Sequence, residues 1–266
     1  MMKTSQSIGL FDSGVGGLSI LQEVSRALPN EHLIYLGDTA RVPYGNKSAE
    51  TIIRYSIENA EFLFHKNIKL LIVACHTSSA YALPKLRELF SIPIVGVIES
   101  GAQSAIQQTR NFQIAILGTK GTIQSNAYQE ILRFHAPQAS LFPVACPLFV
   151  PLVEEQWHDH AVTPLIIKSY LSHLPENKID TAILGCTHYP ALSSLIQAEL
   201  GQHVSLINPA KTCAQEVVQI LKEHRMLSNN RIAENEFYCS DDPNNFKATA
   251  EKLFGISIKN MKLKDV

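Results

Sequence analysis

Two of the five cysteines in this 266-residue chain stand where a thiol can act as an acid or a base. Cys75, in Ala74-Cys75-His76-Thr77, and Cys186, in Gly185-Cys186-Thr187-His188-Tyr189-Pro190, each follow an apolar run and precede a stretch of helical character. A strand-end thiol near the free N–H groups of a helix N-terminus is expected to have a lowered pKa and to favour thiolate, the form that removes a proton or attacks carbon. The competing reading is that a buried Cys packs as a small apolar residue, and Cys146, Cys213 and Cys239 are read that way. His188, two residues from Cys186, could take the proton of the thiol or, as imidazolium, stabilise a thiolate. Alone, it could equally be a loop hydrogen-bonder.

Other polar clusters lie at the ends of apolar runs. Asp12-Ser13-Gly14-Val15-Gly16-Gly17 follows the first of them, and its glycines allow a tight turn whose backbone N–H groups face an anion. Ser19 stands where a dinucleotide loop needs a third glycine, and no Gly-Lys-Ser/Thr follows, so a small carboxylate suits this loop better than a pyrophosphate. A polar loop, Asp38–Gly45, could close over a ligand. Thr119, Thr122 and Ser125 offer hydroxyls to a carboxylate, although Thr119 also reads as a helix cap. Glu154 and Glu155 follow the apolar run Leu148–Val153, where a carboxylate could assist a proton transfer or simply face solvent. Cys75-His76 and Cys186-x-His188 lack zinc spacing, so no metal is expected. The chain has no Gly-x-Ser-x-Gly elbow of a serine hydrolase.

The elements that must position these residues alternate. Short β-rich runs (Ile8–Phe11, His32–Leu36, Leu70–Ala74, Ile94–Val97, Gln113–Leu117, Leu141–Pro143, Thr181–Leu184, Val204–Ile207 and Glu236–Cys239) suit strands buried on both faces. Between them the spacing predicts helices over Leu18–Ala27, Ala49–Lys66, Ser79–Phe90, Ile123–Phe134 and Cys213–His224. Alternating β and α implies an α/β fold with ligands beyond the carboxyl ends of the strands. Cys75 and Cys186 lie at similar distances beyond Ile8 and Ile114. That fits two related units, or the ordinary strand intervals of a single α/β sheet. The boundary is expected near Glu99-Ser100-Gly101, and the tail after Pro209 is expected to return to the first unit. This gives residues 1–98 with 210–266 as one domain and 99–209 as the other.

Lys+Arg number 23 against Asp+Glu 24, a balance that argues against a nucleic-acid binder driven by bulk charge. No apolar run reaches membrane-spanning length and no signal-type stretch opens the chain, so a soluble cytoplasmic protein with no membrane partner is expected. An odd cysteine count argues against a disulfide framework.

Taken together the motifs resemble glutamate racemase, of the aspartate/glutamate racemase superfamily. They are Phe11-Asp12-Ser13-Gly14-Val15-Gly16-Gly17-Leu18, Gly37–Gly45, Ala74-Cys75, Val97-Ile98-Glu99 with Gly101-Ala102, Gly118-Thr119 with Gly121-Thr122, Pro151-Leu152-Val153-Glu154 and Gly185–Pro190. The resemblance implies two pseudosymmetric α/β domains with mostly parallel sheets and the active site between them. It implies racemisation of L-glutamate to D-glutamate for peptidoglycan synthesis, without a cofactor. One thiolate removes the α-proton from one face and the opposite thiol returns a proton to the other, with Cys75 serving D-glutamate and Cys186 L-glutamate. Asp12, His188 and Glu154 match the residues that assist the thiols. Asp12, Ser13, Tyr44, Gly45, His76, Thr77, Thr119, Thr187 and His188 match or adjoin positions that hold the substrate. A homodimer is compatible with this reading. No Lys sits in the matched motifs, against a pyridoxal enzyme.

The chain departs from the family pattern where Ala-Cys-Asn-Thr becomes Ala74-Cys75-His76-Thr77, and less sharply at Asn208-Pro209, where Asp is commoner. An imidazole at 76 is bulkier than the amide and has different donors. Two alternatives rest on it or beside it: a racemase of aspartate or another acidic amino acid, and a weakly active homologue with a binding or regulatory role.

Overall fold

The computed structural model describes residues 4–175, 178–230 and 233–264. The first part runs β1 (Ser7–Asp12), α1 (Leu18–Ala27), β2 (Leu33–Gly37), α2 (Ala49–Phe64), β3 (Ile68–Val73), α3 (His76–Leu89) and β4 (Ile94–Gly96). The middle part runs α4 (Val97–Gln108), β5 (Gln113–Gly118), α5 (Lys120–Gln124), α6 (Ala127–His135), β6 (Ser140–Ala145), α7 (Phe149–Glu154), α8 (Val162–Leu171), β7 (Thr181–Gly185), α9 (Ser193–Leu200) and β8 (Ser205–Ile207). The last part is α10 (Ala210–Glu223), β9 (Glu236–Cys239), α11 (Pro243–Phe254) and β10 (Met261–Leu263).

The strands form two wholly parallel sheets, ordered β10-β9-β2-β1-β3-β4 and β6-β5-β7-β8. The quartet β2-β1-β3-β4 and the quartet β6-β5-β7-β8 have the same order, counted from the first strand of each. Cys75 and Cys186 therefore follow equivalent strands, β3 and β7. The tail joins the first sheet, where β9 pairs with β2, and α10 packs beside α1.

Continuous apolar runs make these strands because both faces are covered. Along β3, Leu70 and Ile72 enter a core with α1 and α10, while Leu71 and Val73 enter one shared with α2 and α3. The second sheet repeats this. Ala115 and Leu117 face the α7–α9 side, and Ile114 and Ile116 face α4 and α6. The period-2 alternation divides each buried strand between two helix layers.

Several local expectations are corrected. Helix α3 begins at His76 rather than Ser79, with Cys75 at its N-cap position and the Ser79 N–H bonded to the Cys75 carbonyl at 2.8 Å. Val97 and Ile98 open α4 instead of ending a strand, and the helix runs straight through Glu99-Ser100-Gly101. The small residues there are packing devices. A Cβ on Gly101 would stand 2.6 Å from the Tyr128 hydroxyl. The single helix expected over Ile123–Phe134 is two, broken at Asn126 (φ 60°), a left-handed conformation that Asn tolerates. Among the described residues no helix is long and apolar enough to cross a membrane.

Candidate active site

The carboxyl ends of both sheets converge on one small cavity. Its lining includes Ser13, Tyr44, Gly45, Cys75, His76 and Thr77 from the first sheet's loops, and Thr119, Cys186, Thr187 and His188 from the second's. Pro43, from the loop Asp38–Gly45, and Val150, from the run Leu148–Val153, complete the wall, neither having been named as a site residue. The enclosed space is about 10 Å³, roughly the room one water needs. Anything larger than a water requires the lining loops to shift. Wider surface grooves, such as the one of about 920 Å³ beside Phe237, hold neither Cys75 nor Cys186.

Asp12 ends β1 and is fully buried. Its Oδ2 accepts the N–H groups of Gly14 (3.2 Å) and Gly17 (3.1 Å). Two of the glycine loop's backbone donors are thus spent on its own carboxylate. Thr187, from the second sheet, donates to Asp12 Oδ1 at 3.2 Å. The loop is glycine-rich for a further reason. A Cβ on Gly16 would lie 2.5 Å from Thr187 Oγ1 and 2.8 Å from His188 Nδ1. Gly45 meets Thr119 as closely, at 2.5 Å. The Thr77 and Thr119 hydroxyls meet at 2.9 Å across the same divide, while Thr119 also caps α5 by accepting the Thr122 N–H.

The two thiols are buried alike, at 5% and 6% exposure, but served differently. Cys186 Sγ lies 3.8 Å from His188 Nδ1, and His188 Nε2 lies 2.6 Å from Glu154 Oε1, at the end of α7. Burial works against a charged His188, yet its hydrogen bonds to Cys186 and Glu154 hold its pKa well above the ordinary value. Glu154 is half-buried, and the bond to His188 outweighs its partial burial and keeps it below the usual carboxylate range. Cys75 has no such partner. Its thiol lies 3.8 Å from the Ser13 hydroxyl. Burial, then the charge of Asp12, push it up to about 12, against the help of a backbone hydrogen bond in the first turn of α3. The helix N-terminus was expected to lower this pKa, and desolvation outweighs it. Cys186 is followed by a 3-10 turn, Tyr189–Leu192, before α9. Asp12 also titrates high, because burial outweighs His188 and the three donors around it.

His76, the first residue of α3, is 2% exposed. Its ring stacks on Tyr128 of α6 with centroids 6.2 Å apart, which links the two sheets' helices. Neither ring nitrogen has a hydrogen-bond partner among the described residues, nor does the Tyr128 hydroxyl. Desolvation lowers the His76 pKa to about 3, so the cavity is lined by a neutral imidazole. In the unfolded chain this residue protonates near the ordinary histidine value of 6.5, and in the folded chain only near 3. Its contribution to stability is therefore present above pH 6.5 and lost as pH falls toward 3, by on the order of 5 kcal/mol in full. Urea unfolding at a series of pH values should show His76→Asn flattening this acid limb relative to the parent. Identical slopes for the two proteins would show that His76 is hydrated and charged in the fold.

Residues 8–217 match the model of the Asp/Glu/Hydantoin racemase family. A glutamate racemase of Geobacter metallireducens is 47% identical over 251 residues, covering 94% of this chain and 93% of its own length. Among solved structures, a glutamate racemase of Bacillus anthracis superposes with a TM-score of 0.95 at 39% identity, covering 99% of this chain and 98% of that one. The glutamate racemase of Francisella tularensis, in complex with D-glutamate, gives 0.92 at 34% identity and 98% coverage of each. Likeness of this extent, over 94–99% of the chain, makes it an amino-acid isomerase that belongs to the glutamate racemases of the Asp/Glu/Hydantoin racemase family.

Proposed function

We propose that this protein interconverts L- and D-glutamate by two-thiol proton transfer, on its own side chains, and that the D-isomer supplies peptidoglycan synthesis in the cytoplasm. The observation that carries the reading is the pair of buried thiols on equivalent strands, lining one cavity from two sheets. The solved relative that holds D-glutamate supports the choice of substrate. We assign residues 1–98 with 210–266 to one domain and 99–209 to the other, with the substrate between them.

In the L-to-D direction Cys186, as thiolate beside His188, takes the α-proton. The Cα–H bond breaks and its electron pair stays on Cα, delocalising into the carboxylate. Cys75, held as neutral thiol by its burial, delivers its proton to the opposite face, and the new Cα–H bond forms as the S–H bond breaks. The reverse direction exchanges the roles. An α-amino-acid C–H is a very weak acid, so the site must stabilise the developing charge. The hydroxyls of Ser13, Thr77 and Thr119 and the backbone of Gly45 are the donors at hand, in a space that excludes water, while Thr187 spends its hydroxyl on Asp12. Glu154 holds His188 in the orientation that serves Cys186, and Asp12 bears on Cys75 by its charge. His76 lies against the bound amino acid as a neutral ring.

Incubation with L-glutamate in D2O tests the reading. Loss of the Cα–H signal together with loss of optical rotation, without added cofactor, is the expected result. An enzyme that leaves the Cα–H of glutamate intact ends this proposal, and exchange of aspartate instead would move the substrate to a shorter dicarboxylate.

A further inference from the structure

A buried polar network lies behind the cavity wall, and its last member comes from the end of the chain. Asp38, directly after β2, is fully buried. Its Oδ1 accepts the Ser240 hydroxyl at 2.8 Å. Its Oδ2 accepts the Tyr44 hydroxyl and, at 3.3 Å, the side-chain N–H of Asn59 in α2. Asn59 also donates to the Tyr44 hydroxyl at 3.0 Å. Tyr44 thus uses its hydroxyl on Asp38 and Asn59, and the stretch Pro43–Gly45 meets the cavity while anchored from behind.

The anchor depends on which way the Asn59 amide points. Its NH2 end must face Asp38 and Tyr44, because an amide oxygen there would oppose a carboxylate. Lys264, immediately after β10, fixes that choice. Its Nζ donates to Asn59 Oδ1 at 2.7 Å, and an ammonium, with donors only, accepts no other orientation of the amide. Lys264 is 7% exposed and its backbone N–H binds the Cys239 carbonyl at 2.7 Å, so its position is set by the strand before it. Arg41, 3.7 Å from Asp38, is the other cation beside this carboxylate, but it is engaged by Glu58 at 2.5 Å.

We propose that Lys264 is a positioning residue for the substrate-binding stretch Pro43–Gly45, acting through the orientation of the Asn59 amide. The inference rests on the racemase reading above. It joins the C-terminal strand of the chain to a loop of the cavity that lies far from it in sequence.

The test is steady-state racemisation of glutamate by full-length K264M. Loosening a binding wall weakens substrate binding more than proton transfer between the thiols. KM is expected to rise about tenfold, the scale of one charge-assisted hydrogen bond, with kcat changed by less than about threefold. K264A should show the same split, and n-propylammonium added to it should lower KM toward the parent value by restoring a donor to Asn59. This rescue also serves if K264M does not fold. An unchanged KM in either variant overturns the proposal, as does a parallel loss of kcat with no response to the alkylammonium, the mark of a merely structural residue. If the parent enzyme itself leaves glutamate unexchanged, the racemase reading fails and takes this inference with it. An active parent with insensitive Lys264 variants defeats the inference alone.

Discussion

Cys75→Ser and Cys186→Ser should each lower racemisation of glutamate by about a thousandfold or more, within the range for removal of an essential acid or base. A serine hydroxyl is too weak an acid to reach the alkoxide at working pH, so it cannot remove an α-proton. With one thiol lost, a carbanion formed beside the other is quenched chiefly by the proton just taken, because the opposing hydroxyl is a far weaker acid than a thiol. The closed cavity, with room for about one water, gives D2O little chance to intervene. Deuterium exchange at Cα should therefore fall with racemisation in both variants. The measurement is 1H NMR of each enantiomer in D2O alongside polarimetry. A single Ser variant that still racemises within tenfold of the parent would show that one thiol is dispensable, and the two-thiol mechanism would be wrong. Melting temperatures should barely move, because Cys and Ser differ little in size at these sites.

His188→Asn should lower kcat/KM by about a hundredfold, the low end of general acid–base contributions. The imidazole is the only side chain in hydrogen-bond reach of Cys186 among the described residues, and Asn can neither take nor return the thiol's proton. The loss must be equal in the two directions, since enantiomers have equal free energies and the equilibrium constant of racemisation is one. Glu154→Gln should act more mildly and through His188. Without the carboxylate at 2.6 Å, the His188 pKa should fall back toward its ordinary value, a shift that NMR titration of the labelled imidazole reads directly. An unmoved His188 titration in that variant would remove Glu154 from the mechanism.

Much of this arrangement was legible in the sequence because strand-end chemistry is local. The runs that became β3 and β7 are almost wholly apolar, so the thiol just beyond each, Cys75 and Cys186, stood out. Helix α1 has the bounds its periodicity predicts, and β9 joins the first sheet as expected of the tail. What escaped was carried by weak pattern or long separation. Helix α9 buries a single side chain, Ile196, too few to show a period. Helix α4 begins with residues that read as strand and continues through Ser-Gly-Ala, which mimics a linker. The Asp38–Ser240 and Asn59–Lys264 contacts join residues more than 200 positions apart, and no local motif announces such a pair. The pKa of Cys75 was misjudged for a related reason. A helix N-terminus is visible in sequence, whereas the burial that overrides it is a property of the packed whole.

The equal strand order of the two quartets has a stereochemical consequence. A chain of L-residues cannot contain its own mirror image, so it cannot meet mirror-image substrates with mirror-image halves. It can only rotate one unit onto another. A half-turn brings two like groups to opposite sides of a central atom, which is what inversion of a tetrahedral carbon requires. The halves are then free to differ in detail, as the His188–Glu154 pair on one side and the solitary thiol on the other show. On the two-thiol reading proposed above, handedness would be reversed by like groups presented to opposite faces of one carbon, with no mirror-image half required.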